Sequence, residues 1–389
     1  MKILMLQAAY YPWIGGAELF AQKVAEYMVK NGHQVDMVTG LWETPDVLTE
    51  KWNSSEENIN GVNVYRVKGS NIRYIKTMSA ILPMYKKSVE LMKKNNYDLI
   101  HAHIFPAMVS GAMLKKKFKK PLLITVQGGD LVDYKETTAA FGGILKPVIS
   151  YSLRKADLVH GVSNHTAKRA ESLGAKKTVV VPNGVDENIF FPQTEEKEDL
   201  RKKYGFKKED KIIVSSSRLT PKNGMHLLIE AVKNGKDKIK NLKLVIIGDG
   251  DQREKLENLI NKWSLKDIVF LFGYKPNTEM PSFMNMSDVF CRPSLDEGFG
   301  ISFIEAMACG ALVIGSNTGG IPDIITDKEN GFLVMPCDIF DLQTTLEKVF
   351  NLNKTEIEKT VKNGFKTINE KFRWEIVQKQ MEKTYNSLI

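Results

Sequence analysis

Two glutamates, Glu297 and Glu305, stand on either side of a glycine-flanked turn in residues 293–310, PSLDEGFGISFIEAMACG. Carboxylates hold vicinal hydroxyls through charge-assisted hydrogen bonds, so such a pair suits two hydroxyl-bearing parts of one extended ligand. Residues 289–290 end an apolar run that reads as a buried strand, and residues 301–307 have the apolar spacing of a helix packed on it. Gly298 and Gly300 flank Phe299 in the turn between them. Here the main chain can approach a ligand closely, and the free N–H groups at the helix start favour an anion, phosphate foremost. A helix rises about 1.5 Å per residue, so the spacing separates the acids by more than one bond's reach while both can face one cleft. The same residues also fit a surface turn before an ordinary helix with a solvated Glu305.

A second chemical cluster lies at residues 217–224, SRLTPKNG, after an apolar strand at 211–216. The guanidinium of Arg218 can grip a phosphate in bidentate fashion, and Lys222 adds a point charge against a leaving group. Two histidines, His101 and His103, alternate at the end of another strand and so share a face. Without a third ligand they make a weak metal site, and no metal is expected. His103, at the carboxyl end of its strand, reads as lining a cleft. The strand at 121–126 ends in Gln127-Gly-Gly-Asp130. Glutamine cannot exchange a proton at neutral pH but can hold a sugar hydroxyl, and Asp130 either faces the cleft or forms an Asx turn.

The elements that must position these groups alternate strand, turn and helix. Residues 2–7, Gly15-Gly16, a helix and residues 34–39 form a βαβ unit of a parallel, Rossmann-like sheet, and the alternation begins anew at residue 211. The first unit lacks the G-x-G-x-x-G fingerprint, which disfavours a dinucleotide. Residues 62–67 form a further strand, and residues 74–95 a helix broken near Pro83. With 389 residues the chain is long enough for two domains, and its 43% hydrophobic and 26% charged content suits a globular protein. The expected class is α/β, with two Rossmann-like domains whose parallel sheets face an interdomain cleft. The polar stretch at 193–210 reads as linker and surface helix.

No apolar stretch reaches the roughly 20 residues of a membrane span. The opening MKILMLQAAYYPW reads as a first strand, not a signal peptide. Three scattered cysteines point to a reduced, cytoplasmic setting. The 55 basic against 46 acidic residues leave a net charge of +9, which suits anionic partners. No nucleic-acid signature accompanies it. The run KKKFKK at 115–120, with Lys86, Lys87, Lys93 and Lys94, could contact an anionic membrane face; helix-dipole complementation accounts for the same run.

The Glu297–Glu305 segment closely resembles the E-x7-E signature of retaining nucleotide-sugar glycosyltransferases of the GT-B fold, family 4. The segment PNGVD at 182–186, followed by Phe190, and the S-R-L-x-x-x-K-G-like stretch at 217–224 are similar to further hallmarks of that family. One departure is Asn223, which falls between Lys222 and Gly224. The resemblance implies that Glu297 contacts hydroxyls of the transferred sugar, that Glu305 binds the nucleotide ribose, and that the backbone of Phe299, Gly300 and Ile301 meets the diphosphate. It implies a donor-phosphate role for Arg218, Lys222 and Gly16, a base-edge role for Gly273 and Tyr274, and an acceptor-facing amino-terminal half. Many relatives carry a histidine where Gln127 stands, so side-chain acid–base catalysis there is excluded, whereas a leaving phosphate could itself take the acceptor's proton. The implied organisation is an acceptor domain at 1–190, a nucleotide-sugar domain at 191–370, and a last helix at 371–389 that returns to the first domain. The donor would be a UDP-sugar or GDP-sugar, the acceptor a carbohydrate or lipid-linked molecule, with no cofactor. A nucleotide-sugar epimerase and a non-catalytic sugar-nucleotide-binding protein are the alternatives.

Overall fold

The computed structural model describes all residues except 13–14, 42–54, 70–75, 129–141 and 194–196. The chain forms two compact units, Met1–Asn183 with Trp374–Ile389, and Gly184–Arg373.

The first unit is built on a sheet of strands β1 (Lys2–Gln7), β2 (Gln34–Leu41), β3 (Glu56–Ile59), β4 (Val62–Lys68), β5 (Leu99–His103), β6 (Leu122–Val126), β7 (Leu158–Gly161) and β8 (Thr178–Val180). Their order is β3-β4-β2-β1-β5-β6-β7-β8. Every pairing is parallel except that of β3 with β4. Successive side chains of a strand point to opposite faces, and helices cover both faces here. Leu4, Leu6, Ile100 and Ile124 therefore enter one apolar cluster, while Ile3, Met5, Leu99 and Leu123 enter another. This two-sided burial explains why the central strands are continuous apolar runs. The helix Trp374–Asn386 closes the second cluster with Trp374, Val377, Met381 and Tyr385. Its Gln378 amide donates to the carbonyl of Lys23 on the helix Gly16–Lys30, 2.8 Å away.

The second unit carries β9 (Lys211–Ser216), β10 (Leu242–Ile247), β11 (Val269–Gly273), β12 (Val289–Arg292), β13 (Leu312–Ser316) and β14 (Phe332–Val334). All are parallel, in the order β11-β10-β9-β12-β13-β14. The first strand thus lies in the middle, with the next two on one side and the last three on the other. Such an order reverses direction between β9 and β12, and parallel sheets bind ligands outside the carboxyl ends of the strands at that point. In the first unit the equivalent reversal falls between β1 and β5.

Two local readings are corrected. The helical stretch before β5 breaks at Ala80, not at Pro83, giving helices Lys76–Ser79 and Ile81–Lys94. Pro83 lies in the first turn of the second helix, where a missing N–H costs nothing. The antiparallel strand β3 went unread; it pairs with β4 across Asn60-Gly61, both at positive φ.

Candidate functional site

In the second unit the loops after β9, β10, β11, β12 and β13 are tied to one another by main-chain hydrogen bonds. Leu295 N–H donates to the carbonyl of Lys222 at 2.6 Å, joining the loop after β12 to that after β9. Leu219 N–H donates to Asp249, and Gly248 N–H to Gly273 at 2.8 Å, bringing in the loops after β10 and β11. Gly320 N–H donates to the carbonyl of Glu297 at 2.9 Å, adding the loop after β13. The side chain of Asn223 donates to the carbonyl of Arg218 at 2.6 Å, so the residue that disturbs the spacing of this loop also pins it. Arg218, Lys222, Gly273, Tyr274, Glu297 and Glu305 accordingly belong to one end of one sheet.

Arg218 is exposed and Lys222 half-buried. Among the described residues neither side chain forms an ion pair, so both charges are available to an anion. Tyr274 is 57% exposed, unusual for so large a ring, and lies just beyond the end of β11.

The turn after β12 is organised around a residue that sequence reading passed over. Arg292, the last residue of β12, is buried and pairs through Nη2 with a carboxylate oxygen of Glu297. Its Nη1 donates to Ser302 Oγ at 3.0 Å, and its guanidinium carbon lies 5.1 Å from the centre of the Phe303 ring. Gly300 has φ of +105°, and a Cβ there would approach Arg292 Nη2 to 3.3 Å and the Phe303 ring to 2.8 Å. The turn 297–301 therefore wraps a fixed cation. Phe299 N–H reaches the other Glu297 oxygen at a long 3.4 Å, and the Phe299 ring is buried.

Helix Ile301–Ala308 carries Glu305 on a face that is otherwise apolar. Burial pushes the half-buried Glu305 carboxyl up to about 7, and attraction to Arg292 limits the rise. One guanidinium thus bears on both acids. The signal in the sequence was the arginine itself, a charge closing the apolar run VFCR five residues before Glu297.

The first unit presents a different strand end. Gln7 at the end of β1 is in register with His103 at the end of β5, and both are fully buried. Neither side chain has a hydrogen-bond partner among the described residues. His103 reads from the sequence as a cleft-lining residue; the structure seals it in the interior, its ring 3.9 Å from that of His101. Burial holds its imidazole neutral, down to about 3, helped by the neighbouring His160. His101 Nδ1 meets the Tyr385 hydroxyl at 2.7 Å and its Nε2 meets Thr125 Oγ1 at 2.7 Å, which in turn meets His160 Nδ1 at 2.9 Å. His101 and His160 are thus linked through Thr125, with Tyr385 and the Val181 carbonyl at the two ends of the chain, and among the described residues no cluster of three or more His, Cys, Asp or Glu could hold a metal. Gly16 begins the helix Gly16–Lys30 and is exposed; Gln127 is half-buried just beyond β6. Asp130 lies outside the described residues. No described helix is long and apolar enough to cross a membrane.

Comparison with known proteins adds an independent line. The family described as Glycosyl transferases group 1 matches residues 196–367, and Glycosyltransferase Family 4 matches residues 14–189. An uncharacterised glycosyltransferase of Methanocaldococcus jannaschii is 30% identical over 391 residues, covering 100% of this chain and 99% of the relative. N-acetyl-alpha-D-glucosaminyl L-malate synthase of Bacillus anthracis is 24% identical, with 97% of this chain and 96% of the relative covered. Among solved structures, sucrose-phosphate synthase from Thermosynechococcus elongatus superposes with a TM-score of 0.83 at 23% identity, covering 100% and 98% of the two chains. The Anabaena protein HepE in complex with UDP-glucose gives a TM-score of 0.80 at 23% identity over 100% of both chains.

Proposed function

The chain belongs to the GT-B glycosyltransferases, matching group 1 in its second half and family 4 in its first, and on that premise we propose a specific reaction. A hexose-type sugar moves from a UDP-sugar or GDP-sugar to a glycan, lipid-linked or small-molecule acceptor, with retention at the anomeric carbon and without metal or cofactor. The observation that carries the reading is the joining of the Arg218–Lys222 loop to the Glu297 turn at the reversal point of the second sheet.

Arg218 and Lys222 meet the diphosphate and, with the N–H groups of Phe299, Gly300 and Ile301, stabilise the charge that grows as the nucleotide departs. Glu297 is held in place by the buried Arg292 guanidinium and accepts hydrogen bonds from sugar hydroxyls. Glu305 takes the ribose hydroxyls, and Gly273 and Tyr274 border the base. Gln127 and Asp130 take part in acceptor recognition, and Gly16 keeps its phosphate role as an expectation of the family resemblance alone. The proton of the acceptor leaves with a phosphate oxygen of the departing nucleotide, which requires no side-chain base.

The test begins with a panel of nucleotide sugars scored by thermal stabilisation, since a ligand at ~100 times its Kd adds ~2.7 kcal/mol. With the donor found, Arg218→Ala should cut turnover by about 10²–10³. Glu297→Gln should lose transfer while still binding the free nucleotide, NMR of the product should report a retained anomeric configuration, and EDTA should leave the rate unchanged. Unimpaired transfer by Glu297→Gln would remove the sugar-orienting role.

A further inference from the structure

At the opposite end of the first unit's sheet from Gln7 and His103, the chain forms a basin of about 690 Å³. Its floor is made where the strands begin, by Pro121 before β6, Asp157 before β7, and Lys176 and Lys177 before β8. Two helices end at its rim, Ile104–Phe118 with Lys115 and the following Lys119, and Gly142–Lys155 with Arg154 and Lys155. Six cations against one acid leave +5 in this one hollow, more than half of the chain's +9.

Helix ends account for only part of this charge. Each carboxyl terminus presents roughly half a negative charge, so two of them balance about one cation. Asp157 balances one more, and it is already occupied by the Lys115 ammonium and by Leu122 N–H at 2.7 Å. Glu171, on the neighbouring helix Asn164–Ser172, accepts from Thr178 Oγ1 at 2.6 Å. Lys119, Arg154, Lys176 and Lys177 have no anionic partner among the described residues. The backbone also serves the grouping: a Cβ on Gly174 would come within 2.8 Å of Arg154 Cγ, so only glycine lets the 174–177 segment lie against the arginine stem.

We propose that this basin is a binding site for a compact anion bearing two or more phosphate groups, separate from the donor site. Several like charges held around one hollow repel one another until a polyvalent anion enters, and the arginine fork matches a phosphate edge. The volume lies within the range of small-molecule sites, and a concave wall suits a free polyphosphate better than a flat bilayer.

The probe is inorganic tripolyphosphate, titrated by calorimetry and by thermal shift into the Arg218→Ala protein so that the donor loop contributes little. Binding is expected, weakening as salt rises from about 0.05 to about 0.5 M. The double reversal Arg154→Glu/Lys177→Glu should raise Kd at least about tenfold. Lys359→Glu/Lys362→Glu, the same charge change on exposed lysines of the second unit, should leave it within about twofold. The proposal fails if tripolyphosphate does not bind, or if both reversals weaken it alike, which would mark a general charge effect. It fails equally if phosphatidylglycerol vesicles bind through Arg154 and Lys177 while tripolyphosphate does not, because the source would then be a lipid surface.

Discussion

The two sheets share a central parallel strand order with its reversal beside the first strand, yet their carboxyl ends differ in charge. In the second unit that end holds Arg292, Glu297 and Glu305, with Arg218 and Lys222 on the adjoining loop. In the first it holds Gln7, Thr39 and His103, all buried, and among these three no side chain carries charge at neutral pH. A fold therefore specifies where a ligand can sit, and the residues at the strand ends specify which chemistry it meets. The charged end fits the proposed handling of a diphosphate. The contrast also gives the units opposite responses to pH.

The largest expected effect is acid lability of the first unit. Burial lowers His160 from 6.5 to about 4 and His103 to about 3, and it lowers His101 strongly, with repulsion from the other two adding to the effect. The folded form refuses protons that the unfolded chain accepts below 6.5, so stability is complete above that value and is lost as pH falls towards 4. His160 alone accounts for roughly 3 kcal/mol. Hydrogen exchange followed peptide by peptide from pH 7 to pH 4 should show strands β5, β6 and β7 losing protection before β9 and β12. Earlier loss in the second unit would overturn the contrast.

Next in size is Arg292→Met, which strands the Glu297 carboxylate and should cost about 3–5 kcal/mol in urea unfolding. Adding Glu297→Leu should recover part of that loss, because two apolar groups leave no unpaired charge. A single-variant cost below about 1 kcal/mol would mean that the pair behaves like a solvated surface bridge.

How far these arrangements could be read from sequence follows from the range of the forces involved. The turn 297–301 was legible because glycine spacing, an apolar strand and a helical repeat are all local. The strands β1, β9 and β10 were legible because two-sided burial writes a continuous apolar run. Strand β3, EENI, buries little and has no such run; its one signal was Asn60-Gly61, the dipeptide of a tight hairpin. Arg292 was visible as a charge closing a strand, but its partner could be any acid, and only the folded turn selects Glu297. His103 is fully buried at the end of β5, a depth that no local pattern reports because it depends on what packs over the strand. The partnership of His101 with Tyr385, 284 residues apart, leaves no trace in local pattern.

Glu305 supplies the base-side counterpart to the histidines. Folding raises its carboxyl from 4.5 to about 7, so the folded form keeps a proton that the unfolded chain has released. Its contribution is thus most favourable below 4.5 and declines as pH rises through 7. Glu305→Gln should abolish that decline, matching the parent protein near pH 4 and exceeding it by about 1–3 kcal/mol at pH 8. Urea midpoints at the two pH values measure the difference, and equal midpoints at pH 8 would remove the buried-acid account.

The smallest effect tests whether the histidine chain depends on the last helix. Tyr385 is fully buried and its hydroxyl meets His101 Nδ1, so Tyr385→Phe removes one partner while keeping the ring and its apolar packing. The cost should be about 1 kcal/mol, the net worth of a buried hydrogen bond. His101→Phe should cost more, because Thr125 and Tyr385 then both lose a partner. In the double variant the two losses should fall short of additive, since the Tyr385–His101 bond is counted in each single change. Strict additivity in this cycle would mean that the hydroxyl and the imidazole act independently, and that packing and the Gln378–Lys23 bond hold the last helix on the first unit without them.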